Sequence, residues 1–119
     1  MFSKPLYIQV RQNEFQLRDL DTARTHRKQA IPEFSHPRML VGNFSAAQAC
    51  LKTLISETRG LTLFTPAVIH PLATLEGGLS QVEEQVFQEL ARGAGASRVL
   101  VWVGAPLSDA EVLAKLRGD

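Results

Sequence analysis

The chain has 119 residues, of which 45% are apolar and 21% charged, and its net charge is +1 at pH 7. This composition is typical of an ordinary globular protein and excludes a disordered or fibrous one. A single cysteine, Cys50, excludes an internal disulfide. The chain has neither a secretory leader nor an apolar run long enough to span a membrane, so we expect a cytoplasmic protein with one domain over residues 1–119.

The first part of the chain predicts a three-stranded antiparallel meander. Polar and apolar residues alternate from Leu6 to Arg11 and from Glu14 to Arg18, with a turn at Gln12-Asn13 between them, which is the pattern of a hairpin. After a second turn at Asp21-Thr22, residues 24–30 are polar at nearly every position. Such a segment suits only an edge strand, where charges discourage pairing with other chains.

The first helix is predicted to begin with Ser45 as its N-cap and to end at Gly60. Before it, Pro32 and Pro37 bracket an irregular connection, and residues 39–41 return the chain to the core. Apolar residues at helical spacing give this helix one buried face, formed by Ala47, Cys50, Leu51, Leu54 and Ile55.

Two apolar runs, residues 61–64 and residues 67–69, compete to form the fourth strand. We favour the second, lying parallel to the first strand of the chain. Pro71 argues against a long central strand here because proline has no amide to donate, so the strand is expected to bend or end there.

Residues 79–103 read as a helix, a tight turn and a buried strand. Ser80 and Glu83 have the spacing of a capping box, and Gly93 stands where a left-handed C-terminal cap would fall. The unbroken apolar run of residues 99–103 predicts a strand buried on both faces. The expected apolar face of the helix consists of Val82, Val86, Phe87 and Leu90.

A last helix is predicted from a second capping box at Ser108 and Glu111, with Gly118 beyond its end. Its buried side would be Val112, Leu113 and Leu116. The predicted fold class is therefore α/β with a mixed sheet, in the order β-β-β-α-β-α-β-α, with helices packed on five strands.

This order resembles the ribonuclease-H-like fold shared by actin-like ATPases and many nucleases. Residues 80–83 and 93–96, with the short apolar strand after them, resemble the first subdomain, IA, of the bacterial actin MreB, and residues 44–54 resemble its preceding helix. Residues 6–11, Asn43-Phe44 and residues 76–84 closely resemble the small bacterial YjaA-like family, across nearly the whole chain. The resemblance implies a stand-alone MreB-like subdomain.

The residues that give actin-like ATPases their chemistry are missing. Those enzymes carry an Asp-x-Gly-Thr phosphate loop in the first hairpin, where this chain has Gln9, Arg11 and Gln12, and no glycine occurs before Gly42. The resemblance places Glu83 near an acid that orients the attacking water, but its capping role is a sufficient explanation. With no second domain to close the cleft, ATP hydrolysis is not expected.

Metal-dependent nuclease chemistry is not expected either, because the first strand has no acid and Glu57 falls at the far end of its helix. The three histidines, His26, His36 and His70, share no ligand spacing with Cys50. We therefore expect no metal and no cofactor.

Weak candidates for ligand binding are Arg11, the Gly77-Gly78 turn before a helix start, and Glu83. His70 lies at the carboxyl end of the predicted fourth strand, where open α/β sheets bind ligands, but we interpret it as a hydrogen-bonded structural histidine. Cys50 is interpreted as an inert core residue. The candidates for an interaction surface are the basic residues of the first three strands, Arg11, Arg18, Arg24, Arg27 and Lys28.

The leading functional hypothesis is a non-enzymatic protein-interaction or regulatory module, linked to cell shape or stress response. The resemblance suggests that it pairs with itself or with a cytoskeletal or envelope-linked protein. The alternative is a nucleotide or nucleic-acid binder that uses the basic hairpin face, although the charge excess is far below that of dedicated nucleic-acid binders. A small hydrolase around His70 or Glu83 has the least support.

Overall fold

The computed structural model describes residues 5–31, 33–35, 41–59, 65–72 and 79–118. The predictions made for Pro32, Pro37, Gly60 and residues 39–40 and 61–64 lie outside these ranges. Within them the chain forms β1 (Leu6–Arg11), β2 (Glu14–Asp19), β3 (Arg24–Gln29), α1 (Phe44–Arg59), β4 (Pro66–Pro71), α2 (Gln81–Gly93), β5 (Arg98–Val101) and α3 (Asp109–Arg117).

The five strands form one mixed sheet in the order β3-β2-β1-β4-β5. The short turns make β2 antiparallel to both β1 and β3, whereas the helical crossovers make β4 parallel to β1 and β5 parallel to β4. The predicted mixed α/β fold, with three helices and five strands in this chain order, is confirmed for the described residues. The choice of residues 67–69 as the fourth strand is also confirmed.

One face of the sheet, which we call the α1 face, carries the larger core. It presents Leu6, Ile8 and Val10 of β1 and Phe15 and Leu17 of β2, and α1 and α2 pack against it. The residues of α1 that are buried there are the five predicted from helical spacing, namely Ala47, Cys50, Leu51, Leu54 and Ile55.

The opposite face, the α3 face, is only partly covered. Val112 and Leu116 of α3 pack against Tyr7 and Val68, so apolar cover extends over β1, β4 and β5. The alternation of side chains along β1 and β2 places Gln9 and Gln16 on this same face. Across β1 and β2 the sheet is therefore apolar on the α1 face, and the α3 face is divided into apolar and polar halves.

Helix α1 begins at Phe44, two residues earlier than predicted. It is capped by Asn43, whose Oδ1 accepts from the Ala46 amide at 3.2 Å and whose carbonyl accepts from the Ala47 amide. Ser45 lies inside the first turn, so its assignment as the N-cap was wrong. Asparagine and serine are both favourable N-caps, and here Asn43, the earlier of the two in the chain, caps the helix.

Both predicted capping boxes are present, at Ser80 with Glu83 and at Ser108 with Glu111. The predicted apolar face of α2 was partly wrong, because Val82 is 73% exposed. Val82 precedes Phe87 by five residues, which on a helix of about 100° per residue turns it well away from the core-facing side.

The predicted role of Gly93 was also wrong. Gly93 is the last residue of α2, the C-cap is Ala94 in a right-handed conformation, and the positive φ of 121° belongs to Gly95. A Cβ atom at Gly93 would collide with the carboxamide of Gln48 on α1. A larger residue at this position would therefore require the flexible Gln48 side chain to move. The left-handed cap predicted at Gly118 is confirmed, with φ 87°.

Strand β5 differs from the prediction of a strand buried on both faces. It lies at the end of the sheet and stops at Val101, and Val103 is 39% exposed.

Pro71 is tolerated in β4 because its pairing with β5 has already ended at Ile69 and Val101. The Leu72 amide bonds to Val10 on β1, so by alternation the amide missing at Pro71 falls on the β5 side, beyond the last paired residue Val101.

A buried ion pair ties three elements together at one end of the molecule. The Arg59 guanidinium at the end of α1 donates to both carboxylate oxygens of Asp19 at 2.8 and 3.3 Å, and also to the Pro5 carbonyl before β1. The two side chains are only 5% and 3% exposed. Burial acts to raise the pKa of Asp19, but the Arg59 hydrogen bonds and charge and the Asp21 amide outweigh it, so the pKa is lowered.

We expect Asp19→Asn to destabilise the protein by about 3 kcal/mol, because the buried Arg59 charge loses its bidentate partner and keeps only the more exposed Asp21, 3.4 Å away, as a counter-ion. The measurement is urea unfolding at neutral pH. The matched control is Asp109→Asn, which breaks the bidentate but half-exposed pair with Arg18 and should cost much less. Equal losses in the two variants would contradict the importance of the buried pair.

Candidate functional site

A chain of hydrogen-bonded polar side chains crosses the α3 face of the sheet, starting at His70. His70 is 1% exposed, and both of its ring nitrogens have partners. Its Nδ1 lies 2.6 Å from the Tyr7 hydroxyl, and its Nε2 lies 2.9 Å from the Gly104 carbonyl oxygen. His70 therefore connects β4 to β1 and to the segment between β5 and α3.

These contacts determine the tautomer of His70. A carbonyl oxygen only accepts hydrogen bonds, so Nε2 carries the proton and donates to Gly104. In the neutral ring Nδ1 is then an acceptor, and the Tyr7 hydroxyl donates a hydrogen bond to it. Burial lowers the pKa of His70 from its ordinary value of 6.5, and the Gly104 bond opposes this only in part.

The Tyr7 hydroxyl is the centre of the chain. While donating to His70, its oxygen accepts from the Leu107 amide at 3.0 Å and from Gln9 Nε2 at 3.4 Å. The chain continues outward because Gln9 Oε1 accepts from Gln16 Nε2 at 3.1 Å. Gln16 Oε1 is buried and has no hydrogen-bond partner within the described residues.

The segment between β5 and α3 is held by these bonds and by Trp102. The Trp102 indole donates to the Ala105 carbonyl at 2.9 Å, and Lys115 of α3 lies 4.4 Å above the ring. Gly104 has φ 148°, and a Cβ there would lie 2.8 Å from the Trp102 ring. These contacts fix the segment that leads into α3. Both ring nitrogens of His70 are occupied, so neither is available to accept a proton from a ligand.

A second cluster of contacts surrounds the turn between β1 and β2. Asn13 adopts the positive φ of 56° that asparagine tolerates. Its amide donates to Ser35 Oγ at 2.9 Å, its Oδ1 accepts from the amides of Phe34 and Ser35 at 2.9 and 2.7 Å, and its carbonyl accepts from Ala30. The first hairpin turn thus binds residues 33–35 of its own chain.

The basic candidates are divided between the two faces of the sheet. The register places Arg11, Arg18 and Arg27 on the α3 face, and Arg24 and Lys28 on the α1 face. They therefore do not form the single basic surface that the hairpins were thought to present.

Three of the basic candidates have acidic partners. Arg18 makes a bidentate pair with Asp109 at 2.7 and 3.0 Å, joining β2 to the first turn of α3. This pairing raises the pKa of Arg18. Lys28 lies 3.5 Å from Glu57 on α1, and Arg27 lies 3.9 Å from Glu14 on β2. Arg11 and Arg24 are exposed and form no ion pair within the described part of the chain.

The other candidates are not brought together. Glu83 is exposed and serves its capping box at the start of α2. Gly77-Gly78 and His36 lie outside the described residues. Cys50 is buried in the larger core, where burial raises the pKa of its thiol, and His26 lies on β3. The described residues contain no group of three or more acidic, His or Cys side chains able to hold a metal ion.

Comparison with known proteins decides the family. The chain is 36% identical to the uncharacterized protein YjaA of Escherichia coli strain K12, over 124 aligned positions that cover 94% of this chain and 96% of that protein. The chain belongs to the YjaA family. No protein-family model matches it. None of the helices described for this YjaA-family chain is both long and apolar enough to cross a bilayer.

Three of the interactions that organise this YjaA-family structure were not predicted from the sequence. Asp19 had a readable signal, since it follows Phe15 and Leu17 at inward-facing positions of β2, where a carboxylate needs a partner. Asn13 was recognised as a turn residue but not as a clamp on residues 33–35. The contact between Tyr7 and His70 had no local signal, because the residues are 63 positions apart.

We expect the stability of this YjaA-family protein to depend on the protonation of His70. The unfolded chain binds a proton near pH 6.5, whereas the folded protein binds it only at lower pH. Between these values the unfolded state holds more protons, so the free energy of unfolding falls as the pH drops below about 6.5 and levels off below the folded pKa.

The test is urea unfolding of the wild type and of His70→Gln from about pH 7.5 down to pH 5. Gln removes the titrating group and retains an N–H for Gly104, so we expect a shallower loss of stability with acid in the variant. The stability of each protein at the highest pH serves as its own reference. Equal slopes over this range would show that His70 does not contribute to the pH dependence.

Proposed function

We propose that this YjaA-family chain is a cytoplasmic, non-enzymatic protein-interaction or regulatory module, linked to cell shape or stress response. In this proposal it is a single ribonuclease-H-like subdomain, reduced from an MreB-like actin, without a working ATP site. The sheet supports the kinship, because a three-stranded antiparallel meander is followed by two parallel strands in the order β3-β2-β1-β4-β5.

The observation that carries the proposal is the internal use of the first hairpin turn. In actin-like ATPases this turn presents backbone amides to phosphate, which requires glycine and an open loop. Here the Asn13 amide donates to Ser35, and the Asn13 carboxamide accepts from Phe34 and Ser35. The Asn13 amide, one of the groups that would approach a phosphate, is thus engaged with the chain itself, which favours a scaffold over a nucleotide clamp.

The interaction part of the proposal rests on surfaces that the fold leaves available. Strands β3 and β5 are the two ends of the sheet, and no described residue pairs with their outer edges. The proposed partner is a protein, either a second copy of the chain or a cytoskeletal or envelope-linked protein. Sheet edges bind proteins through main-chain hydrogen bonds, with side chains providing specificity.

The alternative, nucleotide or nucleic-acid binding by the basic hairpin face, has less support. Arg11, Arg18 and Arg27 share the α3 face, but Arg18 is paired with Asp109. Tyr7, the aromatic residue on this face of the first hairpin, is only 4% exposed, so no base can stack on it. Exposed arginines without a stacking surface give weak, salt-sensitive binding.

We expect titration with Mg-ATP, cyclic nucleotides and a short single-stranded RNA to leave the amide resonances of Arg11 and Asn13 unchanged. The Asn13 amide already donates to Ser35, and Arg11 has no glycine-containing phosphate loop beside it. The measurement is an NMR titration at low salt. Shifts at both residues that saturate at micromolar Mg-ATP would overturn the proposal, and salt-sensitive shifts with RNA alone would favour the alternative.

Size-exclusion chromatography with light scattering, together with affinity capture from the native cell, should detect either self-association or a protein partner. The matched control for both is the double variant Arg24→Glu with Arg27→Glu, which reverses charge at two exposed positions of β3. A wild-type chain that stays monomeric at high concentration and captures no protein would contradict the interaction proposal.

A further inference from the structure

Strand β3 has one edge whose main-chain groups point away from the sheet. The Ala30 amide bonds to the Asn13 carbonyl of the neighbouring turn, so the main-chain groups of Lys28, two residues earlier, also face β2. By the same alternation the amides and carbonyls of Thr25, Arg27 and Gln29 point outward. No backbone hydrogen bond occupies these groups within the described part of the chain.

The side chains of β3 give this edge a positive charge. The strand reads RTHRKQ, with basic residues at Arg24, Arg27 and Lys28 and no acidic residue. Arg27 is 65% exposed and its contact with Glu14 is a long one of 3.9 Å. Lys28 is 36% exposed and lies 3.5 Å from Glu57, which is itself 60% exposed. These solvated pairs are weak and exchange readily with another carboxylate.

The charge pattern selects against a second copy of the same strand. Two β3 edges pairing with each other would place Arg24, Arg27 and Lys28 of one chain beside the same residues of the other. Like charges across neighbouring strands are destabilising. An acidic strand would instead be attracted. Carboxylates on one of its faces would lie beside Arg24 and Lys28 on the α1 face, and carboxylates on the other would lie beside Arg27 on the α3 face.

We infer that the β3 edge binds an extended acidic segment of another protein, which adds to the sheet as a sixth strand next to β3. This inference rests on the proposed interaction function and specifies its surface and the chemistry of its partner. Main-chain hydrogen bonds to Thr25, Arg27 and Gln29 hold the segment, and its carboxylates replace Glu14 and Glu57 beside Arg27 and Lys28.

The test uses the whole chain and a capped peptide of about eight residues, a length that matches a typical strand. Its sequence repeats Val-Val-Glu-Glu, so that each face of the added strand carries Glu. NMR titration should shift the amides of Thr25, Arg27 and Gln29, and the affinity should fall as salt is added. A peptide with Lys in place of Glu should not bind. Methylating single peptide amides should weaken binding at every second position, because only alternate amides of an added strand face β3.

Two variants at one position separate the main chain from the charge. Arg27→Gln keeps the outward amide and removes the charge, so we expect the peptide affinity to fall roughly two- to fivefold. Arg27→Pro also removes the amide, which makes no bond in the free protein, so the sheet should persist while the affinity falls more than about tenfold. If Arg27→Pro does not fold, the amide-methylation series alone decides.

Each result supports or overturns the inference. No binding of the acidic peptide at millimolar concentration, equal affinities for Arg27→Gln and Arg27→Pro, or methylation effects without a two-residue period would overturn it. RNA binding that survives Arg27→Pro, in the absence of peptide binding, would assign the charges to nucleic acid instead. A cellular partner still captured by folded Arg27→Pro would refute this surface and leave the interaction function intact.

Discussion

The hydroxyl group of Tyr7 is the constraint on which the arrangement of the α3 face depends. One oxygen has one proton and two lone pairs, and here it donates to His70 and accepts from Leu107 and Gln9. A buried hydroxyl that lacked these partners would be costly, so β1, β4 and the approach to α3 have to meet at this point. The position of α3 follows, since Asp109 then lies within reach of Arg18 on β2. Helix α3 buries only a few apolar residues against the sheet, and directional hydrogen bonds therefore fix its position.

The other end of the molecule is organised by charge. The pair between Arg59 and Asp19 joins the end of α1 to the end of β2, and Arg59 also reaches the Pro5 carbonyl at the start of β1. Desolvation works against both charges, and the pair is favourable only because its geometry is bidentate and Asp19 also accepts the Asp21 amide. The larger core between α1 and the sheet is apolar and non-directional, so this buried pair favours the one position of α1 along the sheet in which Arg59 reaches Asp19.

Local patterns identified each helix and strand that the structure describes, because the forces that start and stop these elements act over three or four residues. The capping boxes at Ser80 and Ser108 and the apolar stripe of α1 are of this kind. The errors arose where neighbours distant in sequence decide. An apolar run such as residues 99–103 does not reveal that nothing described lies beyond β5, and the spacing of Val82 does not reveal which side of α2 meets the core. The pairing of Tyr7 with His70, and of Asp19 with Arg59, depends on the sheet order, which no local pattern carries.

The contacts of Asn13 and the unoccupied outer edge of β3 are related, because both depend on the path of the chain after β3. When a first hairpin turn is free, its amides are the polar groups available to a ligand. In this chain the Asn13 amide and carboxamide are occupied by Phe34 and Ser35, which come a few residues after β3 and fold back onto the turn. The segment therefore leaves β3 toward the turn, and the outer edge of β3 keeps its main-chain groups available within the described residues. The first hairpin turn is occupied by its own chain, whereas the outer edge of β3 is not occupied by any described residue. This is why we propose the edge strand, and not the turn, as the binding surface of this fold.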